Sequence, residues 1–106
     1  MIKYMISTKN RTELLDSKEA SIILFHRLVE SAQEEINHAF IYPSLWNRDI
    51  RNEVRGGNFD RFWVTLEIVK GEDENDFLEG FFIPVKMLAW TDSESYYNPE
   101  DKEDEE

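Results

Sequence analysis

Apolar residues recur three and four positions apart along the first half of the chain, which is the spacing of one face of an α-helix. Asp16 or Ser17 is placed to cap the start of this helix, and Asp16 with Glu19 resembles a capping box. Pro43 cannot continue a helix, so we expect it to end near Phe40–Ile41. Roughly two dozen residues at 1.5 Å each would span ~36 Å, the whole width of the domain. The apolar face consists of Ile22, Phe25, Leu28, Val29, Ala32, Ile36, Ala39 and Phe40.

Weaker patterns lie on either side of this helix. Residues 1–7 alternate loosely and predict a short first strand, and residues 8–12 are polar and predict a connection. After the long helix, the apolar spacing predicts a short helix over residues 44–55, with Ser44 as its cap. Glycines at 56 and 57 should end this helix, because glycine permits a positive φ.

The strongest strand prediction is a central β-hairpin over residues 62–83. Residues 62–69 are aromatic and β-branched and alternate along the first strand. Residues 71–76 are acidic and predict a solvated turn, and the apolar run 77–83 predicts the returning strand. The residues expected to face the long helix are Val64, Leu66 and Ile68.

The end of the chain gives less definite predictions. Pro84 fits an edge strand or a bulge because it lacks an N–H, and residues 85–90 fit either a strand or a helical turn. The predicted fold is therefore one α+β domain over residues 1–98. In it, one long amphipathic helix packs on a small antiparallel sheet of three or four strands. Residues 99–106 are predicted to be a disordered acidic tail.

The composition is that of a folded protein. Apolar residues make up 41% of the 106 residues, and three Trp, four Tyr and seven Phe are too many large side chains for a disordered chain. The absence of Cys excludes a disulfide framework and thiolate chemistry. No run approaches the ~20 apolar residues of a membrane span, so we expect a cytoplasmic protein.

The net charge of −11 is confined to the second part of the chain. Residues 1–63 contain nine acidic and nine basic side chains, whereas residues 64–106 contain fourteen acidic and three basic ones. Evenly spread charge would indicate solubility alone. Segregated charge produces a negative field over one region, and such a field attracts basic partners.

No residue pattern in the chain indicates catalysis or a cofactor. Nucleophile-elbow and phosphate-loop motifs are absent. His26 and His38 lie on the predicted long helix with Glu30 and Glu34 between them, but the two His would be ~18 Å apart and cannot share one ion. Residues 72–76 lack the spacing of an EF-hand. We therefore expect no enzyme activity, no metal site and no cofactor.

Four arginines form the only basic cluster in the sequence, interleaved with Trp46, Phe59 and Trp63. Basic and aromatic side chains together are typical of nucleic-acid binding. Carboxylates in the same stretch and the net charge oppose it, so we expect no direct nucleic-acid binding. We expect these arginines to pair with carboxylates inside the domain or to contact an acidic region of a partner. The arginines are Arg48, Arg51, Arg55 and Arg61.

Carboxylates follow the predicted hairpin and the residues after it. Duplex DNA presents one negative charge per ~1.7 Å of axis, and a stiff hairpin could hold a comparable row. Such a surface would occupy the basic channel of a nucleic-acid-binding enzyme, with binding that weakens as salt rises. Trp46, Arg48 and Arg51 would add contacts at the rim. The predicted binding surface, called the acidic set below, is Glu67, Glu72, Asp73, Glu74, Asp76, Glu79, Asp92 and Glu94.

In size, charge and lack of a catalytic motif, the chain is similar in type to the small phage-encoded inhibitors that mimic DNA, among them anti-restriction and anti-CRISPR proteins. The similarity is one of type, without a family motif. It implies a binding inhibitor of a basic protein, located in the cytoplasm of the host cell if a phage encodes it. Two alternatives use the same electrostatics: an immunity protein that neutralises a nuclease toxin, and a regulatory or assembly module with an acidic docking tail. A homodimer or an apolar surface for a partner is a further expectation, because the hairpin has more aromatic surface than one helix can cover. These aromatic residues are Trp63, Phe77, Phe81 and Phe82.

Overall fold

The computed structural model describes residues 1–42 and 48–99. Its four strands form one antiparallel sheet in the order β2-β1-β3-β4, and the longest helix packs against it. The predicted α+β architecture is confirmed. In chain order the elements are β1 (Ile2–Thr8), β2 (Thr12–Leu15), α1 (Lys18–Ile41), α2 (Arg48–Arg55), a 3₁₀ turn (Asp60–Phe62), β3 (Val64–Lys70), α3 (Glu74–Glu79) and β4 (Ile83–Trp90).

Helix α1 begins and ends where its sequence requires. Ser17 is the N-cap, and its Oγ accepts a hydrogen bond from the Ala20 N–H at 3.1 Å. Asp16 takes no part in a capping box, because its carboxylate accepts a hydrogen bond from Lys3 Nζ at 2.6 Å instead. The helix ends at Ile41, as Pro43 predicted.

The apolar face of α1 serves two hydrophobic clusters. In the first half, Phe25 packs with Ile6 of β1 and with Leu66 of β3. In the second half, Ile36 packs with Val54 of α2 and with residues that follow it. α1 therefore connects the sheet to the layer formed by α2, the 3₁₀ turn and the segment after β4. Of the predicted face, Ile22 is the exception, with 38% of its surface exposed.

β3 and β4 form the predicted antiparallel pair, but the second strand is β4 rather than residues 77–83. Residues 74–79 form α3 because both of its ends are capped. The Asp73 carboxylate accepts from the Asp76 N–H at 3.1 Å, and Gly80 closes the helix with a φ of 81°. The sequence prediction of a strand there is wrong, and so is the prediction of a plain solvated turn over 71–76.

Residues 85–90, which the sequence allowed to be either a strand or a helical turn, belong to strand β4. It lies at one edge of the sheet, and Pro84 pairs with Val69 next to a register shift, as its missing N–H requires. Val64 and Leu66 are buried against α1 as predicted, whereas Ile68 is only half-buried. Val69, on the other face opposite Lys3, is fully buried.

Three further predictions have mixed outcomes. β2 is a strand paired with β1, although the sequence predicted only a connection up to residue 12. α2 is described from Arg48 to Arg55, while the predicted start of this helix at Ser44 lies outside the described residues. The predicted disordered tail lies outside them from residue 100 onward. Within the described ranges, no helix has the length and apolar character that crossing a bilayer requires.

Candidate functional site

The acidic set occupies three places rather than one continuous row. Glu67 lies on β3, and Asp92 and Glu94 follow the end of β4. The other five carboxylates lie on α3 or immediately before it, and we call them the α3 cluster. The eight residues of β4, ~27 Å at the rise of an extended strand, run from the side of the α3 cluster toward Asp92. The α3 cluster consists of Glu72, Asp73, Glu74, Asp76 and Glu79.

Several carboxylates of the α3 cluster hold the local backbone in place. Asp73 caps α3, and Asp76 Oδ2 accepts a hydrogen bond from the Glu72 N–H at 2.6 Å. Glu74 Oε1 lies 3.1 Å from the buried Nζ of Lys3. These contacts give α3 a fixed position although it has only six residues. The remaining carboxylates of the cluster are thereby presented from a defined backbone.

Four carboxylates of the acidic set have no partner among the residues that the structure describes. Glu72, Glu79 and Glu94 are exposed, and Glu67 is half-buried. Glu67 pairs in register with Met5 and Met87, which places it on the sheet face opposite Leu66 and α1. The negative charge of these four side chains is therefore not neutralised by a cation that the structure describes.

Asp92 stabilises the turn that follows β4. Its Oδ1 accepts hydrogen bonds from the Glu94 N–H at 2.8 Å and from Ser95 Oγ at 3.4 Å. One residue later the Tyr96 hydroxyl donates to the buried Phe62 carbonyl at 2.5 Å. Burial raises the pKa of Tyr96, partly opposed by a hydrogen bond with Thr91. The segment after β4 is therefore fixed on the second hydrophobic cluster.

The basic cluster is partly paired inside the domain, as one of the two predictions for it required. Arg61 Nε and Nη2 donate to the Glu53 carboxylate at 2.8 and 3.1 Å. This fork lowers the pKa of Glu53 and raises the pKa of Arg61. The guanidinium groups of Arg51 and Arg55 each lie 5.7 Å from the centre of the Phe40 ring.

Of the predicted rim residues, the structure describes Arg48 and Arg51. Arg48 is exposed at the start of α2. Arg51 is half-buried, and its Nε is buried without a hydrogen-bond partner in the described parts of the chain. Trp46 lies outside the described residues. The rim role of these residues stays a prediction.

β4 adds an apolar surface that the sequence did not reveal. Trp90 has 61% of its surface exposed, and Ile83, Val85 and Met87 of the same strand are also exposed. Lys86 is the single charged side chain of β4. The spacing of Val85 and Met87 is typical of a strand. Pro84 disfavours a strand at this place, and the apolar run 77–83 was already predicted to be the second strand of the hairpin.

The excess of aromatic surface predicted for the hairpin is smaller than expected. Phe77 is buried and its ring stacks on Phe82 with centroids 5.7 Å apart. Trp63 is 39% exposed and Phe81 is 70% exposed. Of the four aromatic side chains, Phe81 and part of Trp63 therefore remain available to an apolar partner.

The His and Glu residues of α1 do not assemble into a site. His26, Glu30, Glu34 and His38 are all exposed on the helix. In residues 1–42 and 48–99, no three side chains of His, Asp or Glu come together in a way that could hold a metal ion.

No protein-family model, no curated protein and no solved structure matches this chain.

Proposed function

We propose that the chain is a non-catalytic binding inhibitor that occupies the basic nucleic-acid channel of a host protein as a DNA mimic, in the manner of anti-restriction and anti-CRISPR proteins. The observation that supports this is the set of carboxylates without described partners around β3, α3 and β4. Residues 64–99 contain eight acidic side chains and only Lys70 and Lys86. Eight negative charges against these two positive ones, with Lys3 at Glu74, leave a net negative field over residues 64–99.

The density of charge at α3 supports the comparison with DNA. The six residues of α3 span ~9 Å and hold three carboxylates, and two more carboxylates directly precede the helix. Three charges over ~9 Å are one per ~3 Å, which is close to the ~3.4 Å per charge along a single strand of duplex DNA. The caps at Asp73 and Gly80 and the Lys3–Glu74 ion pair keep these charges on a defined backbone. A defined arrangement is what distinguishes a mimic from a flexible acidic tail.

The proposal has a clear signature in its dependence on salt. Charges at an exposed surface interact over about 8 Å at physiological ionic strength and over shorter distances at higher salt. Binding of a basic channel should therefore be retained at low salt and lost at high salt, mainly through a slower association rate. DNA should compete for the same partner.

The first experiment identifies the partner. The immobilised chain is exposed to host lysate at low salt, and retained proteins are eluted with salt and then, separately, with DNA. A nucleic-acid-binding enzyme released by DNA supports the proposal. A single cognate nuclease toxin supports the immunity alternative instead. Retention of no basic protein at low salt overturns both.

The second experiment tests the surface with a matched control. Glu72→Lys with Glu79→Lys reverses two exposed carboxylates that have no described partner, whereas Glu30→Lys with Glu34→Lys makes the same change of net charge on α1. We expect the α3 pair to weaken partner binding at least tenfold, or about 1.4 kcal/mol, and the α1 pair to weaken it much less. Equal losses would mean that net charge alone matters, and the proposed surface would be wrong.

A further inference from the structure

A cavity of about 330 Å³ lies where β3 begins and β4 ends. Three aromatic residues, Phe59, Trp63 and Tyr96, line it together with the acidic residues Asp60 and Asp92. Pockets that bind small ligands range upward from about 300 Å³, so this cavity has room for one side chain or one small molecule.

The aromatic walls are held in place by the core. Tyr96 is buried, its hydroxyl donates to the Phe62 carbonyl at 2.5 Å, and its ring lies 5.9 Å from that of Phe59 at an angle of 50°. Rings at this distance and angle are in ordinary aromatic contact, so Phe59 and Tyr96 form one continuous wall. Trp63 borders the same cavity and keeps 39% of its surface exposed. An indole is the aromatic group that attracts a cation most strongly.

The two carboxylates that line the cavity favour a positively charged ligand. Asp60 is exposed, and its carboxylate has no hydrogen bond or ion pair in the described ranges. Asp92 uses Oδ1 within its own turn. An anion would be repelled, and a neutral apolar ligand would remove these carboxylates from water without compensation. A cation satisfies both the ring faces and the carboxylates.

No cation of the described chain fills this cavity. Arg61, the nearest arginine in sequence, is held by two hydrogen bonds to Glu53 and borders the neighbouring cavities instead. The guanidinium groups of Arg51 and Arg55 lie over Phe40.

We propose that this cavity is a binding site for an arginine side chain of the basic partner, with the guanidinium between the aromatic walls and Asp60. Arginine suits it better than lysine, because a planar guanidinium stacks on rings and donates to carboxylates at the same time. That the arginine comes from a basic partner rests on the proposed function. The cavity would give this partner a second contact site, at the end of β4 and away from α3. Binding of the free side chain can be measured without that partner.

The test uses N-acetyl-arginine amide as the probe, followed by nuclear magnetic resonance of the ¹⁵N-labelled chain. We expect shifts of the Trp63 indole N–H and of amides in residues 57–63 and 91–96, with saturation in the millimolar range. The citrulline analogue, neutral and nearly the same shape, should cause none of them. The lysine analogue should bind more weakly. Equal shifts with citrulline, or shifts confined to α3, would overturn the proposal.

A pair of variants separates the site from general charge. Asp60→Asn should weaken arginine binding about threefold, as expected for loss of one exposed ion pair, while Asp49→Asn on α2 removes the same charge and should leave it unchanged. An unchanged affinity of the Asp60 variant would overturn the proposal. If arginine binds but no basic partner is ever retained, the proposed function fails and the cavity stands. If a partner binds through α3 but arginine leaves Trp63 unperturbed, the cavity fails alone.

Discussion

Tyr96 ties the segment after β4 to the core through both its ring and its hydroxyl. Its ring packs with Phe59 and Phe62, and its hydroxyl donates to the Phe62 carbonyl. Burial raises the pKa of the phenol, so the folded state favours the protonated hydroxyl. Stability from this group is complete below the ordinary tyrosine pKa of 10.0 and is lost as pH rises through the higher pKa of the folded state.

We predict that Tyr96→Phe lowers the free energy of unfolding by about 1 kcal/mol at pH 7, because it removes one buried hydrogen bond. The difference from the parent chain should shrink as pH rises above 10, since phenylalanine has no proton to lose. Urea unfolding at pH 7 and above pH 10 measures both effects. Tyr4→Phe is the control, because the Tyr4 hydroxyl has no partner in the described ranges. A difference that stays constant with pH would contradict the linkage.

At this scale the sequence indicated residue types better than partners. It offered both Asp16 and Ser17 as caps for α1, and both are good cap residues. In the structure Ser17 is the cap, and the Asp16 carboxylate binds Lys3 instead. Lys3 lies thirteen positions away in sequence, so the pattern around Asp16 does not predict this contact. The pairing of Arg61 with Glu53 was foreseen in kind, although not in its partner.

The short elements depend on single residues at their ends. α2 is followed by two glycines that are not equivalent. Gly57 has a φ of 82°, which a side chain would strain, whereas Gly56 does not lie in the left-handed region. A Cβ at Gly56 would meet only the backbone oxygens of Glu53 and Asn52, at 3.5 and 3.6 Å. These are ordinary contact distances.

We predict that Gly57→Ala destabilises the fold by about 1 kcal/mol, because alanine is strained at positive φ. For a domain of this size this lowers the melting temperature by about 4 °C or more. Gly56→Ala should be neutral or slightly stabilising, since it reduces the entropy of the unfolded chain. Thermal unfolding of the two variants provides the comparison. Equal losses would mean that packing, rather than φ, makes glycine necessary at both positions.

At the scale of elements, long periodic stretches were predictable and short ones were not. The 24 residues of α1 show several turns of one pattern, so its limits followed from the sequence. Six residues of α3 span less than two turns, too few to distinguish a helix from a strand by period. The signals that decide it, Asp73 before the helix and Gly80 after it, were present but outweighed by the apolar run 77–83.

At the scale of the whole molecule, the exposed edge strand β4 offers a surface through which the predicted homodimer could form. Two copies joined antiparallel through β4 would extend the sheet and cover Val85 and Met87. The same pairing would bring the α3 side of one copy toward Asp92 and Glu94 of the other. Like charges would then oppose each other at both ends of the interface.

We predict that self-association through β4 strengthens with salt, because salt screens the repulsion between the two acidic ends. Binding of a basic partner should respond in the opposite direction. Sedimentation velocity of the chain at low and high salt measures the first response. Val85→Lys on the exposed edge should abolish the dimer, and Glu30→Gln on α1, which changes the net charge by the same amount, serves as the control. A dimer that weakens with salt would contradict pairing through β4.

The attachment of α3 to the sheet determines which part of the molecule opens first. A helix of six residues is not stable alone, so α3 persists only while Lys3 and the buried ring of Phe77 hold it. Opening there would release the capping bonds of Asp73 and Asp76 and dissolve the α3 cluster as a unit, with the central strands intact. Amides of α3 should therefore exchange with solvent sooner than those of β3, and a bound partner should slow that exchange. The carboxylates of the α3 cluster would thus open and close together, and a bound basic partner would stabilise the closed form.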